Sequence, residues 1–126
     1  MEDDSAMDIF LWTGESLNSD PSGAVPEFVV GRVEWDKWVL GRAIKRGFSV
    51  VDATLLLSPI HLSGGDGNFA SRRHDDSGSS SQQRNRALYA AAESEGTIDP
   101  CVRIGCAQFV LESADDGSSW VLYKHQ

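Results

Sequence analysis

Between Gly31 and Gly47 the sequence reads GRVEWDKWVLGRAIKRG, and the residue in it best equipped for chemistry is Asp36. It lies between Trp35 and Trp38, two of the four tryptophans in the chain. A carboxylate in the first turn of a helix sits at the positive end of the dipole, which helps keep it ionised. From there it can serve as a general base toward a hydroxyl proton, with an indole alongside on which a sugar ring can stack. A plainer reading exists for the same residues: an Asp that complements its own helix and a closely spaced Trp pair that fills a core. His61, ending the run LLLSPIH, is a candidate metal ligand or phosphate contact, or else a locally bonded surface histidine. Asp52 in VVDAT suits a turn cap bonded to nearby amides.

Other combinations carry less. GGDGN and RRHDD match neither a phosphate-loop nor an EF-hand spacing. None of the three histidines has a motif-like Ser or Cys neighbour, and neither H-E-x-x-H nor paired C-x-x-C is present. Cys101 and Cys106 fit no zinc pattern, and on a strand they would point to opposite faces. They read as ordinary buried or reduced thiols in a soluble, reducing environment.

The elements that must position these residues follow from composition and periodicity. MDIFLW (Met7–Trp12) has the form of a short buried strand, and the Gly/Pro/Ser/Asn-rich TGESLNSDPSGAVPE that of a loop. FVVGR reads as a strand or extended lead-in. A helix over Trp35–Arg46 is expected, with Gly47 at its C-cap, Glu34 and Asp36 at its positive end, and Lys45 and Arg46 at its negative end. Its apolar positions Trp35, Trp38, Val39, Leu40, Ala43 and Ile44 cover a broad face, so the helix should be well buried. Phe48–Val51 and Leu55–Leu62 have the apolar character of strands covered on both faces. RNRALYAAAESEG predicts a second helix stopping at Gly96, and CVRIGCAQFVLES and SSWVLYK flank ADDG as a β-hairpin.

The 126 residues suit one modest domain. The net charge of −8 is unevenly spread: −7 over Met1–Glu27, +2 over Phe28–Leu62 and −3 over Ser63–Gln126. An acidic chain without a basic stripe argues against nucleic acid as its main partner. The acidic MEDDSAMD start is unlike a signal peptide, and no apolar run reaches the roughly 20 residues of a membrane span. A cytoplasmic or otherwise soluble location is expected.

The run GRVEWDKWVLGRAIKRGFSVVDATLLLSPIH resembles the C-terminal half of the catalytic domain in family 2-type inverting glycosyltransferases. Those enzymes have the nucleotide-diphospho-sugar transferase (GT-A) fold. Asp36 falls on the second acid of the family's helix-opening pair, Arg42 on its helix Arg, Gly47 on its terminator and His61 on its strand-end His. FVVGRVEWDKW, VVDAT and IH are similar to a subgroup that reads roughly F-x-x-G-R-x-x-W/Y-D-x-W, V-x-D-A-T and H-Q. MDIFLW, NRAL and IGCAQFVL resemble its flanks. The likeness touches most of the chain, and about 35 residues carry its strongest part. Two positions depart from it: Trp35 replaces the first acid of the pair, and Leu62 stands where the subgroup prefers Gln. No N-terminal strand–helix series and no D-x-D metal motif precedes the run.

What the resemblance implies is specific. Asp36 would deprotonate the acceptor hydroxyl, Trp35, Trp38 and Arg32 would line the substrate side, and His61 would lie near the diphosphate and a divalent metal (Mn or Mg). The partners would be a nucleotide-sugar donor and a glycan or other hydroxyl acceptor. The expected fold is α/β, a partial GT-A-like layer with two helices, short strands and a C-terminal β-hairpin. Residues 1–62 would be the acceptor-side segment, 63–83 a flexible Ser/Gly/Asp-rich loop, and 84–126 the helix and hairpin tail of the same domain. The nucleotide-binding half would be missing, the chain being a truncated or divergent product or one whose fold a second polypeptide completes. The alternatives are a non-catalytic carbohydrate- or protein-interaction module, and an unrelated small α/β domain with both tryptophans in its core.

Overall fold

The computed structural model describes Met7 and residues 9–13, 25–57 and 80–125. In chain order they form α1 (Trp35–Lys45), β1 (Val51–Asp52), α2 (Ser80–Ser94), a 3₁₀ turn (Ile104–Cys106), β2 (Phe109–Ser113) and β3 (Trp120–Lys124). This is a mixed α/β arrangement of two helices and a three-stranded sheet ordered β1-β2-β3.

Both helices stop where a glycine lets them. Gly47 (φ 76°) donates to the Ile44 carbonyl (2.9 Å) and Phe48 to the Ala43 carbonyl (3.0 Å), the double bond of a Schellman ending. At α2, Gly96 (φ 67°) and Thr97 repeat the pattern onto Glu93 and Ala92. The core lies between the helices: Trp38, Val39, Ala92 and Ile98 are buried, with Phe10, Phe28, Trp35, Phe48 and Tyr89 packed around them. Five consecutive α1 residues, Trp38 to Arg42, are buried, so the expected broad buried face is present. One reason is Gly41. A Cβ there would meet the Asp99 carbonyl oxygen at 3.0 Å, Val102 Cγ1 at 3.1 Å and Ile98 Cβ at 3.2 Å. The segment after α2 crosses α1 that closely, and the Asp99 N–H donates to the Gly41 carbonyl (2.9 Å).

In the sheet, β2 is central. It pairs antiparallel with β3, from Phe109 opposite Lys124 to Ser113 opposite Trp120. The expected hairpin is thus present, and its turn closes with Gly117 (φ 69°) donating to the Ala114 carbonyl (2.8 Å). β1 joins the other side of β2 in parallel, Val51 opposite Phe109. Gln108 lengthens this short ladder: its side-chain Oε1 accepts the Val50 N–H (2.6 Å).

Several expectations are corrected. Ile9–Trp12 forms no strand; Leu11 is 84% exposed, and among the described residues of the expected strand only Met7 and Phe10 are half-buried. The strand expected at Phe48–Val51 is only Val51–Asp52. Asp52 ends it, because its Oδ1 accepts the Thr54 N–H (2.9 Å) and the Thr54 hydroxyl (2.6 Å), and the resulting turn carries Leu55–Leu57 away from the sheet. This is the turn-capping role expected of Asp52, but it leaves Leu55 exposed rather than covered on both faces. The remainder of Leu55–Leu62 lies outside the described residues, as do residues 63–79 of the expected loop; Ser80–Gln83, assigned to that loop, already belong to α2. Cys101 and Cys106 are joined in a disulfide, not free. Their segment turns instead of running as a strand, which brings the two Cα atoms to 5.8 Å, inside the usual bridging range. A disulfide suits an oxidising setting better than the reducing one expected.

Candidate functional site

The site is built at the N-terminal end of α1. Val30 to Glu34 forms a turn whose last residue, Glu34, adopts a left-handed conformation (φ 79°) as the helix N-cap and makes no side-chain cap bond. Asp36 takes over that duty from within the first turn, its Oδ1 accepting the Lys37 N–H at 2.9 Å. Lys37 also pairs with Glu34 (3.4 Å).

Asp36 is half-buried, and burial raises its carboxyl above the ordinary aspartate value. Backbone N–H groups of Lys37, Asp36 itself and Met7, with the Lys37 charge, oppose that shift without cancelling it. Beside it the half-buried Trp35 meets Phe10 nearly edge-on, with ring centroids 5.6 Å apart and planes at 70°. Tyr89 of α2 belongs to the same neighbourhood. Its phenol is raised first by burial and then by the negative charges of Glu93, Glu34 and Asp36.

Of the residues singled out from sequence, Trp35 and Asp36 open α1, and Arg32 stands on the turn that precedes it. Arg32 is tied to α2 through Nε, which donates to Ser81 Oγ (3.1 Å). Trp38 does not join them. At 4% exposure it is a core residue, tilted against Phe28 at 5.9 Å, and it offers no face to a substrate. Its side chain lies in the buried cluster with Ala92 and Ile98, and Trp35 packs at the margin of that cluster. Arg42 is structural as well: it is buried and donates from Nη1 to the Thr97 carbonyl just beyond α2 (2.8 Å). His61 lies outside the described residues.

The residue that sequence reading missed is Asn85. It is fully buried and makes three hydrogen bonds to the loop that leads into α1. Oδ1 accepts the Val29 N–H (2.9 Å), and Nδ2 donates to the carbonyls of Val29 (3.0 Å) and Val33 (2.9 Å). Arg84, one position earlier, holds Glu27 through its carboxylate (2.6 Å) and its carbonyl (3.2 Å). The first two turns of α2 are therefore a clamp on residues 27–33, and that loop sets where Arg32 and the first turn of α1 stand. A signal was present: Gln82, Asn85, Tyr89 and Ala92 have the spacing of one helix face, with polar residues at two of its positions.

Chemically, the arrangement can accept a proton at Asp36, one residue along α1 from the half-buried Trp35. Among the described residues no group of three or more His, Cys, Asp or Glu side chains converges to hold a metal ion. No helix among the described residues is long and apolar enough to cross a membrane. Comparison with protein families, characterised proteins and solved structures found no match to this chain.

Proposed function

We propose that this chain is the acceptor-side part of a glycosyltransferase-like domain of GT-A type, with Asp36 as the base for the acceptor hydroxyl. The observation that carries the reading is the half-buried Asp36 carboxylate at the positive end of α1, raised above its ordinary value and set beside Trp35. A carboxylate moved upward is a better proton acceptor than one at the usual value, while the helix end favours its ionised form. In the reaction Asp36 takes the proton of an acceptor hydroxyl. The hydroxyl oxygen bonds to the anomeric carbon as that carbon's bond to the nucleoside diphosphate breaks, and the bonding pair leaves with the diphosphate. Arg32, fixed by Ser81, stands on the loop that leads into this site. The resemblance of the sequence supplies the reaction class and implies a divalent metal.

A second reading has its own support. Val51 on β1 and Trp120, Leu122 and Tyr123 on β3 are exposed, and β1 and β3 are the two edges of the sheet. Uncovered apolar edges of this kind suit a fold that another polypeptide completes, as a non-catalytic interaction module would.

Saturation-transfer NMR separates the two. The purified chain is mixed with a panel of methyl glycosides, and in parallel with uridine and guanosine diphosphate sugars with and without manganese. The acceptor-side reading expects transfer to a glycoside ring that Trp35→Ala abolishes and Asp36→Asn retains. A folded wild-type chain that touches no glycoside and no donor would sink that reading and leave the interaction module.

A further inference from the structure

The sheet ends at β3 in an open edge whose backbone phase can be read from its flanks. The Ala114 N–H donates to the Ser119 carbonyl (2.9 Å) and the His125 N–H to the Gln108 carbonyl (2.7 Å). An antiparallel ladder alternates, so the odd-numbered residues from Ser119 to His125 turn their N–H and C=O groups toward β2. Trp120, Leu122 and Lys124 therefore turn theirs away, and no other strand among the described residues meets them. Their side chains do little to shield this edge. Trp120 is 74% exposed and Leu122 52%, β3 carries neither proline nor glycine, and its one charge, Lys124, stands at its end. The opposite edge, β1, has only two residues and offers almost no ladder.

We propose that two copies of this chain join β3 to β3, antiparallel about a two-fold axis at Leu122, so that two three-stranded sheets become one. The strand is its own complement in that register, which overlaps all five of its residues. Leu122 meets Leu122 of the second copy and Trp120 meets Lys124 of the second copy. All of these are outward-turned residues, so each pair can exchange N–H···O bonds. The ammonium beside the indole adds a cation–π contact, formed twice by symmetry. Val121 meets Tyr123 of the second copy in the closer, non-hydrogen-bonded position, a β-branched side chain against an aromatic one. Charge allows the same occupant. The chain has a net charge of −8, yet β3 has no acidic residue, so two copies can meet here without setting carboxylates against each other. Being isologous, the contact closes at two copies and leaves no β3 edge for a third. This assigns an occupant to the edge noted above and stands apart from the Asp36 reading, which uses none of these residues.

The test is sedimentation equilibrium of the whole chain over about 1 μM to 1 mM, a range suited to an interface below the standard size of about 1,200–2,000 Å². Amide exchange is followed at the same concentrations. A concentration-dependent dimer is expected, with exchange at Trp120, Leu122 and Lys124 slowing as it forms, while Val121 and Tyr123 stay protected by β2 throughout. Leu122→Lys sets two like charges at the axis and should leave a folded monomer. Lys124→Ala keeps the ladder and should weaken the dimer roughly 5- to 30-fold through two lost cation–π contacts. It covers the case in which Leu122→Lys fails to fold. A monomer at every concentration overturns the proposal and leaves the edge to a different protein. Slow exchange at the three outward amides in a dilute monomer overturns it too, since another segment of this chain would then cover them. A dimer that leaves these amides unchanged, or that folded Leu122→Lys does not weaken, places the interface elsewhere and overturns it as well. None of these outcomes touches the Asp36 reading, which stands or falls on the glycoside experiment.

Discussion

Replacing Asn85 with Ala should cost this protein a large share of its stability, because one fully buried side chain satisfies three backbone groups of the loop before α1. Each of these bonds has a net value of about 0.5–1.5 kcal/mol, and a buried group left unpaired costs more than the mean. Val29 and Val33 are only about one-third exposed, at 37% and 36%, so water can relieve part of the loss. The expected penalty is about 2–4 kcal/mol, against the 5–15 kcal/mol typical of a whole domain. Urea unfolding followed by tryptophan fluorescence gives the value, and amide exchange at Val29 reports the loop directly. Asn85→Asp sharpens the test, since it keeps the acceptor for the Val29 N–H but sets an oxygen against two carbonyl oxygens. Its carboxyl should titrate high, so this variant should be as weak as Asn85→Ala at neutral pH and regain stability as the pH falls, when the protonated acid can donate once. A loss under about 1 kcal/mol in Asn85→Ala, with Val29 exchange unchanged, would refute the clamp, since three net bonds cannot sum to so little.

Gly41→Ala should destabilise by about 1–2 kcal/mol in urea unfolding, because crowding against the Asp99 carbonyl at 3.0 Å outweighs the 0.5–1 kcal/mol that Ala gains in a helix. Asp36→Asn should be more stable than the wild type at neutral pH while losing any transfer activity. The folded carboxyl lies above 3.8, so the native state binds more protons than the unfolded chain between that value and the folded one, and wild-type stability falls as pH rises through the window. Melting curves of both proteins across acid pH check this, and a wild type that gains stability over the same range contradicts the burial of Asp36. Paired Cys101→Ser and Cys106→Ser changes, or a dithiol reductant, should remove about 2 kcal/mol, the chain-entropy value for so short a loop. Thiol titration before and after reduction shows whether the bridge was formed.

Much of the scaffold is legible in the sequence where the cause is local. Gly47 and Gly96 end their helices through left-handed backbone, Asp52 caps its own turn, and Ala114–Gly117 reverses the hairpin, all within a few residues of each other. What stays hidden depends on distant neighbours. Trp35 and Trp38 look alike in sequence, and only the positions of Ala92 and Ile98 decide that Trp38 faces inward. Asn85 gives no local sign that its partners lie more than fifty residues earlier in the chain. The apolar residues around the cysteines suit a strand; a 3₁₀ turn after Pro100 brings the two together instead. For the site itself, the place of Asp36 on its helix follows from sequence, whereas the packing of Phe10 on Trp35 does not.

The ties between the two parts of the chain also govern how it can come to be folded. Arg32–Ser81, Arg42–Thr97, Val29–Asn85, Glu27–Arg84 and Val50–Gln108 link residues 49 to 58 positions apart. Phe10, Phe28 and Phe48 can meet the buried face of α1 early, but its partners Ala92 and Ile98 are missing until about fifty further residues exist. At ribosomal speeds of about 5–20 residues per second that interval lasts roughly 3–11 s, during which Trp38 and Val39 stand partly open to water or to whatever apolar surface meets them first. For the same reason, two separately produced pieces ending and beginning within 58–79 should each remain unfolded alone and regain structure on mixing.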